Sequence, residues 1–390
     1  MSIGKVNVIA AGLGWGVLER RGVKTIGGIE FAPAPSAFPA VTCVAQASMR
    51  TGLRPVEHGM VSNGSWFGDL VKPMFWEQSS SLVKGRRVWE DFRAGGGKVG
   101  LFFFQQSLGE DVDAIVSPAP IHRHGGGMTM SCYTRPTDAA QEIERRLGRF
   151  PLWRYWGPLS SPKVGRHCID WFEAMTEMHE VDESYLYLPT LDYAAQKFGP
   201  GSPQDDAAFD ELCRQIERLA ALCERRGWSL SVTGDYEITP VLSEPARPNL
   251  LLREKGLFRT RSVAGRAYPD FYQSGAFAMC DHELCILCGD ERVRAAEALL
   301  ATGDYEETVE TEELARGGCV ALLAKRGSWC EYKWWTSRRE APDYAGHVDI
   351  HNKPGYDPTE LFFFGRGVVK GTHGRKCEVA HGTAGAAPRT

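Results

Sequence analysis

The stretch FPAVTCVAQASMRTGLRPVEHGMVSNGSW, residues 38–66, limits the choice of fold more than any other part of the chain. Its run CVAQASM is rich in good helix formers and Gly52 follows as a stop signal, so a helix is predicted to begin at Thr42. A hydroxyl there faces unpaired backbone N–H groups and the positive end of the helix dipole, which stabilise an alkoxide and a bound anion. The alternative is an ordinary N-capping threonine.

Downstream of this helix, a glycine-rich loop carries polar residues that can return to the helix start. His58, Gly59 and Asn63 lie in the loop. The threonine and the asparagine can therefore lie together.

The ordered combination of Pro39, Thr42, Thr-Gly, His-Gly and Asn resembles the nucleophile region of the alkaline phosphatase superfamily. The most similar branch is type I phosphodiesterase/nucleotide pyrophosphatase, which includes phosphonoacetate hydrolase. In that branch a threonine attacks phosphorus and a downstream asparagine binds a phosphoryl oxygen. The resemblance covers residues 6–358 and implies an alkaline phosphatase-like fold, with Thr42 as the catalytic nucleophile and Asn63 as a substrate-binding residue.

Two later segments contain acidic residues that the resemblance assigns to metal ions. In YLPTLDYAAQKFGPGSP, residues 187–203, Asp192 matches a metal-binding aspartate and Gln196 stands where the family has a histidine. In SVTGDYEIT, residues 231–239, Asp235 matches a second aspartate and Tyr236 replaces the histidine beside it. The resemblance therefore makes both aspartates metal ligands and leaves Gln196 and Tyr236 as weaker candidates.

The other expected ligands come from the two ends of the chain. The segment VDIHNKPGYDP, residues 348–358, resembles a late histidine-containing segment of the family, which makes His351 the third metal candidate and His347 a rival. The first strand, which ends in a metal-binding aspartate in the family, leads here into Ala11. Asp281 and His282, in a region that could fold back over the sheet, and Asp349 are candidate replacements, and the alternative for each is a hydrogen-bonded polar residue.

The reduced ligand set implies one divalent metal ion, Zn, Mn or Mg, and leaves a second ion doubtful. In a two-metal phosphoryl-transfer site, one ion activates the nucleophile and the other stabilises the leaving oxygen. A neutral amide such as that of Gln196 is a poor zinc ligand but is acceptable to a harder ion. We therefore expect fewer than two tightly bound zinc ions per chain.

Strand and helix patterns alternate along the chain. Strands are predicted at residues 6–10, 99–104, 185–188 and 230–233, and helices at residues 138–147 and 205–226. This alternation predicts an α/β fold with a mostly parallel central sheet flanked by helices, in which ligands gather at the carboxyl ends of the strands. We expect one domain over residues 1–369, a cap insertion around 107–165 and a loose C-terminal tail at 370–390.

Composition narrows the class of partner. The net charge of −4 does not indicate binding to a nucleic acid polymer. No apolar run approaches the roughly 20 residues that span a membrane. The start of the chain lacks the pattern of a secretory signal, and eleven cysteines, an odd number, favour reduced thiols in a cytoplasm. The expected partner is a small-molecule, phosphoryl-type substrate, and the oligomeric state is not determined.

A cysteine cluster allows two interpretations. Cys280, Cys285 and Cys288 have the C-x4-C-x2-C spacing of a plant-type [2Fe–2S] site, with Cys319 further on. The surrounding AFAMC and LCILC segments are apolar and strand-like, without the small-residue loop that wraps such a cluster. Thiols packed in a strand are the favoured interpretation, ahead of a cluster or a structural zinc.

Aromatic residues are abundant between residues 66 and 171. Most are expected in a core under a cap, and some in a pocket for a planar group beside Thr42. They are Trp66, Phe67, Phe75, Trp76, Trp89, Phe102, Phe103, Phe104, Trp153, Tyr155, Trp156 and Trp171.

These features together favour metal-assisted hydrolysis of a phosphodiester, phosphonate or nucleotide-type ester through a covalent threonine intermediate. Two alternatives remain. One is a repurposed transferase or lyase of specialised metabolism on the same fold, and the other is a binding protein that has lost turnover.

Overall fold

A nine-stranded sheet forms the centre of the molecule and a separate four-stranded sheet lies in its C-terminal half. The structure is a computed structural model of the 390-residue chain and describes residues 4–124, 127–156, 159–316, 318, 320–342 and 369–385. Helices flank the central sheet, so the predicted α/β class is confirmed.

The elements are numbered in chain order over the described residues. The strands are β1 (Lys5–Ala10), β2 (Thr25–Ile26), β3 (Ile29–Pro35), β4 (Gly64–Phe67), β5 (Lys72–Phe75), β6 (Val99–Phe102), β7 (Ala114–Pro118), β8 (Ile121–His122), β9 (Met128–Thr129), β10 (Cys132–Arg135), β11 (Glu183–Leu188), β12 (Ser229–Gly234), β13 (Thr239–Pro240), β14 (Thr260–Val263), β15 (Arg266–Pro269), β16 (Phe277–Asp281), β17 (Leu284–Cys288), β18 (Tyr305–Glu306), β19 (Val320–Ala324), β20 (Gly371–Thr372) and β21 (Glu378–Ala384). The helices are α1 (Trp15–Arg21), α2 (Thr42–Thr51), α3 (Pro55–His58), α4 (Glu90–Ala94), α5 (Ala139–Leu147), α6 (Val164–Met178), α7 (Asp192–Phe198), α8 (Pro203–Arg226), α9 (Pro248–Glu254), α10 (Arg292–Leu300) and α11 (Val309–Arg316).

The carboxyl ends of three parallel strands lie side by side in the middle of the central sheet. The strand order is β10-β7-β6-β11-β1-β12-β21-β3-β2, and the five strands from β7 to β12 are parallel to one another. Ala10, at the end of β1, pairs with Leu188 on β11 and with Gly234 on β12. The residues that follow these strands, among them Asp192 and Asp235, therefore start from the same edge of the sheet.

Short buried strands make up this parallel region. Both faces of such a sheet are covered, which favours strands with long apolar runs, although β12 alternates buried and partly buried residues. Val6, Val8 and Ile9 of β1 are buried, as are all four residues of β6. The strands predicted at 6–10, 99–104, 185–188 and 230–233 correspond to β1, β6, β11 and β12 and are confirmed, although β6 ends at Phe102.

The long helix α8 begins and ends where its sequence signals lie. The Ser202 side chain accepts a hydrogen bond from the Asp205 N–H, Pro203 occupies the first turn, and Gly227 closes the helix with φ 64°. Phe209 and Leu212 are among the residues that its apolar stripe buries. The predicted helices at 205–226 and 138–147 are confirmed as α8 and α5. No described helix is both long and apolar enough to cross a bilayer.

The second sheet, in the order β16-β17-β19-β18, has its own apolar core. Phe258, Leu284 and Trp334 are buried in that core, and Val41 and Val44 join it from the start of α2. The hairpin of β16 and β17 turns at Asp281–Leu284. This sheet therefore packs against the segment that carries Thr42.

The prediction of a cap insertion around 107–165 is wrong for part of that range. Strands β7 and β10, residues 114–118 and 132–135, lie within it and belong to the central sheet. A glycine-rich, irregular sequence around them concealed two short strands. The second sheet outside the central one comes instead from residues 277–324.

The prediction of a loose tail at 370–390 is wrong for residues 371–384. Strand β21 pairs with β12 on one side and β3 on the other, inside the central sheet. The small residues of β21 concealed the strand from sequence analysis, but at Gly382 the neighbouring strand leaves no room for a side chain. A Cβ at Gly382 would lie 2.7 Å from the Glu30 carbonyl oxygen.

The cysteines of the predicted cluster are packed thiols, as favoured from the sequence. Cys280 lies in β16 and Cys285 and Cys288 lie in β17, all three buried. Burial raises the pKa of the Cys280 and Cys285 thiols well above the ordinary value. Cys319 lies outside the described residues.

Candidate active site

Thr42 opens onto a pocket at the carboxyl ends of the central parallel strands. The pocket is bounded by the starts of α2 and α7 and by residues that follow β11 and β12. Its lining residues are Thr42, Trp76, Gln78, Gln105, Pro118, Tyr155, Trp156, Tyr187, Pro189, Asp192, Tyr193, Tyr236 and His373.

Thr42 is the first residue of helix α2 rather than its cap. The N-cap is Val41, in an extended conformation and without a side-chain hydrogen bond, and Gly52 ends the helix with φ 68°. The alternative of a capping threonine therefore does not apply. Thr42 is 5% exposed, and the positive end of a ten-residue helix lies beneath its hydroxyl.

Asn63 returns to the start of this helix, where the sequence led us to expect it. Its Oδ1 accepts a hydrogen bond from the Cys43 N–H over 3.0 Å. Its Nδ2 donates to Asp281 Oδ1 over 3.0 Å, and its backbone N–H donates to Asp281 Oδ2 over 2.7 Å. The Ser62 hydroxyl donates to the same Oδ2 over 2.8 Å. Asp281 thus fixes Asn63, a role that sequence reasoning missed.

Two buried phenols, those of Tyr187 and Tyr236, line the pocket together with Thr42. Burial raises the pKa of both phenols well above the ordinary value for tyrosine, although the Thr42 side chain lowers it in part. Both side chains are therefore neutral at physiological pH. Tyr187 lies on β11 and Tyr236 follows β12, so the parallel sheet aligns the two.

Asp192 begins helix α7 and accepts two hydrogen bonds on one oxygen. Gln196 Nε2 donates to its Oδ1 over 2.6 Å and the Tyr236 phenol donates over 2.8 Å. Burial raises the pKa of the Asp192 carboxyl, while the charge of His282 and the two hydrogen bonds lower it. Asp192, which was predicted as a metal ligand, is thus hydrogen-bonded to both of the weaker candidates, Gln196 and Tyr236.

Asp235 lies beneath the same edge and is held by the backbone. Its Oδ1 accepts hydrogen bonds from the Gly12 N–H and the Tyr236 N–H, each over 2.9 Å. Its buried Oδ2 has no hydrogen bond to any described residue. Burial, together with the charge of nearby Asp192, raises the pKa of this carboxyl well above the ordinary value. Ala11, next to Gly12, is buried and offers no ligand atom.

His373 lines the pocket and was missed by sequence reasoning. Its ring stacks on Tyr236, with centroids 3.7 Å apart and planes at 3°, and the His282 ring lies at the same centroid distance but is tilted by 33°. Its Nδ1 lies 2.9 Å from the Ala40 carbonyl oxygen. Burial and the charge of His282 lower the pKa of His373 well below the ordinary value.

A short signal could have found His373. It lies in the sequence GTHG, residues 371–374, whose two glycines are both needed. A Cβ at Gly371 would lie 2.5 Å from the Ala195 carbonyl oxygen, and Gly374 has φ 130°. The expectation of a loose tail concealed this signal and left His351 as the preferred histidine.

His351, together with His347 and Asp349, lies outside the described residues. Of the weaker candidates, His282 is buried at the turn of the β16–β17 hairpin, with its Nε2 3.9 Å from Asp281 Oδ1. The second sheet thus brings this histidine to the pocket-lining ring of His373.

The described residues do not fit the two-metal centre that the resemblance implies. Among them, no three His, Cys, Asp or Glu side chains are grouped so that they could hold a metal ion. The Ala11 side chain has no ligand atom, and Gln196 and Tyr236 each donate a hydrogen bond to Asp192 Oδ1. The carboxylate and its neighbours are arranged as a hydrogen-bond network.

Aromatic side chains form the remaining wall of the pocket. Trp76, Tyr155 and Trp156 lie there, as expected for part of the aromatic-rich region. Tyr155 donates to the Phe103 carbonyl oxygen over 3.2 Å, and Gln78 donates to Gln105 over 2.6 Å. The pocket thus combines a polar end at Thr42 with an apolar, aromatic side.

Comparison with known proteins identifies a family for this chain. A family model described as type I phosphodiesterase/nucleotide pyrophosphatase matches residues 27–357 of the chain. No curated protein sequence matches it at a significant level.

Several solved structures have a similar fold. Phosphonoacetate hydrolase from Sinorhizobium meliloti 1021, in complex with phosphonoformate, is 15% identical with a TM-score of 0.61, and the match covers 100% of this chain and 91% of that chain. Murine ectonucleotide pyrophosphatase/phosphodiesterase 5 is 14% identical with a TM-score of 0.55, covering 98% and 88%. An inactive variant of the murine protein, in complex with AMP, is 15% identical with a TM-score of 0.55, covering 99% and 88%.

Proposed function

Because the chain belongs to the type I phosphodiesterase/nucleotide pyrophosphatase family of enzymes, in the alkaline phosphatase superfamily, we propose that it hydrolyses a small phosphoryl ester through a covalent intermediate on Thr42. The substrate is a phosphodiester, a phosphonate or a nucleotide-type ester. Structural neighbours that bind phosphonoformate and AMP support a small phosphoryl ligand.

The observation that carries this proposal is the position of Thr42. Its hydroxyl is at the N-terminus of α2, lines the pocket and adjoins the Asn63 amide, which is bonded to the next backbone N–H. A phosphoryl group at this place meets the positive end of the helix dipole and an amide side chain. Such preorganised dipoles stabilise the charge that develops on phosphoryl oxygens in the transition state.

The reaction proceeds in two displacements. In the first, Thr42 Oγ attacks phosphorus and the leaving oxygen departs with the bonding electron pair. In the second, water attacks phosphorus and Thr42 Oγ leaves, which regenerates the hydroxyl. Covalent catalysis of this kind divides one difficult displacement into two easier ones. The aromatic wall at Trp76 and Trp156 faces the leaving group.

Substitution of Thr42 tests the proposal. Thr42→Ala should lower kcat by roughly 10³-fold or more, because water lacks the positioned attack geometry, while thermal stability stays nearly unchanged. Thr42→Ser should retain part of the activity. Assays start with aryl phosphodiesters, phosphonates and nucleoside diphosphate esters, each with and without added divalent ions.

The matched control is Thr51→Ala. Thr51 is a buried threonine at the other end of α2, where its hydroxyl donates to the Ala47 carbonyl oxygen over 2.8 Å. Its loss should cost stability and leave kcat close to that of the wild type. An active Thr42→Ala protein would contradict the covalent mechanism.

A second candidate is transfer of the phosphoryl group from Thr42 to an acceptor other than water. The observation that favours it is the replacement of expected metal ligands at Ala11, Gln196 and Tyr236, since a bound ion is one means of activating water. Turnover in ¹⁸O-labelled water distinguishes the two. Hydrolysis incorporates label into the phosphoryl product, and transfer does not.

A further inference from the structure

Thr42, Tyr236 and Asp192 line the same pocket. The Tyr236 phenol donates to Asp192 Oδ1 over 2.8 Å, and the Thr42 side chain is near enough to this phenol to lower its pKa in part. Because the phenolic proton is directed to Asp192, the phenolic oxygen keeps lone pairs that can accept the Thr42 hydroxyl proton. A path for a proton therefore runs from Thr42 through Tyr236 to Asp192.

We propose that Tyr236 takes the place of a metal ion in activating Thr42, by receiving the hydroxyl proton and passing its own proton to Asp192. This inference rests on the proposed function. It follows from the chemistry of the donor set, since Tyr236 stands at the position of an expected histidine ligand and is instead bonded to a carboxylate.

The proton and electron balance of the step is complete. As the bond between Thr42 Oγ and phosphorus forms, the bond from phosphorus to the leaving oxygen breaks and that oxygen keeps the electron pair. The Thr42 proton moves to Tyr236 Oη, and the Tyr236 proton moves to the Asp192 carboxylate, which becomes neutral. In the second displacement, Thr42 Oγ recovers its proton by the reverse path, and the attacking water releases a proton to solvent.

Neighbouring groups hold the two relay residues in place. The His373 ring lies flat against Tyr236, with an interplanar angle of 3°, and its own Nδ1 lies 2.9 Å from the Ala40 carbonyl oxygen. Gln196 donates to the Asp192 oxygen that also accepts from Tyr236. His373 and Gln196 are therefore positioning residues.

Tyr187 is the obvious rival, because it also lines the pocket with Thr42. Among the described residues, however, the carboxylate hydrogen bond belongs to Tyr236. A relay needs a final proton acceptor, and Asp192 supplies it on the Tyr236 side alone. Tyr187→Phe should accordingly cost less activity than Tyr236→Phe.

The first arm of the test is kinetic and uses chelator-treated enzyme with bis(4-nitrophenyl) phosphate. Tyr236→Phe should lower kcat by roughly 10²-fold or more with little change in KM, as loss of a general base does. The control is Tyr185→Phe, which removes a buried phenol that donates to Glu183 Oε1 over 2.9 Å outside the pocket. The control should keep wild-type kcat. A Tyr236→Phe enzyme within about threefold of wild type would overturn the relay.

The second arm is elemental analysis after dialysis, and it needs no substrate. The wild-type protein should retain no stoichiometric metal, whereas the double variant Gln196→His/Tyr236→His, which restores two imidazole ligands, should gain zinc. A wild-type protein that retains a stoichiometric ion, and loses activity when that ion is removed, would overturn the inference.

The outcomes separate this inference from the proposed function. If Thr42→Ala stays active, the covalent mechanism fails and the relay fails with it. If Thr42→Ala is inactive but Tyr236→Phe is fully active, the covalent mechanism stands and the relay alone is wrong.

Discussion

Asp281 shows how one side chain can determine the geometry of a site to which it contributes no reacting atom. Its two oxygens accept hydrogen bonds from the Ser62 hydroxyl and from the backbone and side-chain nitrogens of Asn63. Asn63 Oδ1 is thereby left facing the Cys43 N–H at the start of α2. The phosphoryl-binding role proposed for Asn63 depends on this carboxylate.

Asp281→Asn should therefore impair the site. An amide nitrogen in place of Oδ1 would face the donor Nδ2 of Asn63, so the asparagine would turn away from the Cys43 N–H. We expect kcat/KM to fall roughly 10- to 100-fold and the free energy of unfolding to fall by about 1–3 kcal/mol. Steady-state kinetics and urea unfolding measure the two effects.

Asp270→Asn is the control for that substitution. Asp270 Oδ1 accepts a hydrogen bond from the Gln273 N–H in a 3₁₀ turn away from the pocket. Its replacement should leave kcat/KM unchanged. Equal kinetic behaviour of the two variants would mean that Asp281 does not position Asn63.

His58 gives the molecule a pH-dependent stability. It is fully buried, with Nε2 2.9 Å from the Ser48 hydroxyl and Nδ1 accepting from the Met60 N–H. Burial, followed by the charge of Arg50, lowers the pKa of His58 to about 4. Of its other charged neighbours, Glu57 raises this pKa and Arg87 lowers it. The folded chain thus keeps the imidazole neutral in a pH range where the unfolded chain protonates it.

Protonation of His58 in the unfolded chain makes the protein less stable at acidic pH. Between pH 6.5 and about 4 the unfolded state binds the extra proton, so stability falls as pH falls through this window. The loss from this group is roughly 2–3 kcal/mol, and His58→Gln should be free of it. Urea unfolding at several pH values compares the two proteins. Parallel pH dependences would contradict the assignment.

At the scale of the elements, the parallel register explains why part of the site was predictable. Ala10, Leu188 and Gly234 lie side by side, so whatever follows their strands converges. Asp192 and Asp235 follow two of those strands, and the family resemblance indicated both. The strand pattern added that residues which follow parallel strands meet at one edge of the sheet.

The contacts that sequence reasoning missed come from elements whose partners are remote. His373 precedes β21, a strand of small residues that pairs with β12 and β3 across most of the chain. Asp281 belongs to a hairpin that was read as strand-like, but its meeting with Asn63 depends on tertiary packing. Periodicity carries no information about such contacts.

Deletion of β21 tests its structural importance. Removing residues 378–390 would leave β12 and β3 without the strand between them. It would also expose the core residues that the buried Val379 and Ala380 cover. We expect the truncated protein to aggregate and to lose the cooperative unfolding transition. Thermal unfolding monitored by circular dichroism measures this loss. Removing residues 386–390 alone is the control and should preserve the transition. A folded, monodisperse 378–390 deletion would contradict the strand's role.

At the scale of the whole molecule, the site lies where two cores meet. The central sheet supplies Asp192, Asp235 and Tyr236, while the second sheet supplies Asp281 and His282. The start of α2 packs into the second core through Val41 and Val44. The second sheet therefore supports the nucleophile helix as well as the asparagine beside it.

A short segment was enough to predict the fold of the whole chain, but it was not enough to predict the chemistry of the site. The order of residues in 38–66 indicated the family, which the match over residues 27–357 confirms. The replacements at Ala11, Gln196 and Tyr236 are visible in the sequence, but only the structure shows that Gln196 and Tyr236 form a hydrogen-bond network around Asp192. The loss of a metal ligand can be recognised in a sequence, whereas the contact that replaces the ligand cannot.

The covalent intermediate is measured most directly by mass spectrometry of the acid-quenched reaction. Wild-type protein mixed with excess bis(4-nitrophenyl) phosphate is digested, and the peptide containing Thr42 is sequenced. We predict a phosphoryl ester on Thr42 in the wild type, accumulating as the first equivalent of nitrophenolate is released, and none in Thr42→Ala. Turnover by a wild-type protein whose Thr42 stays unmodified throughout that first equivalent would contradict the mechanism.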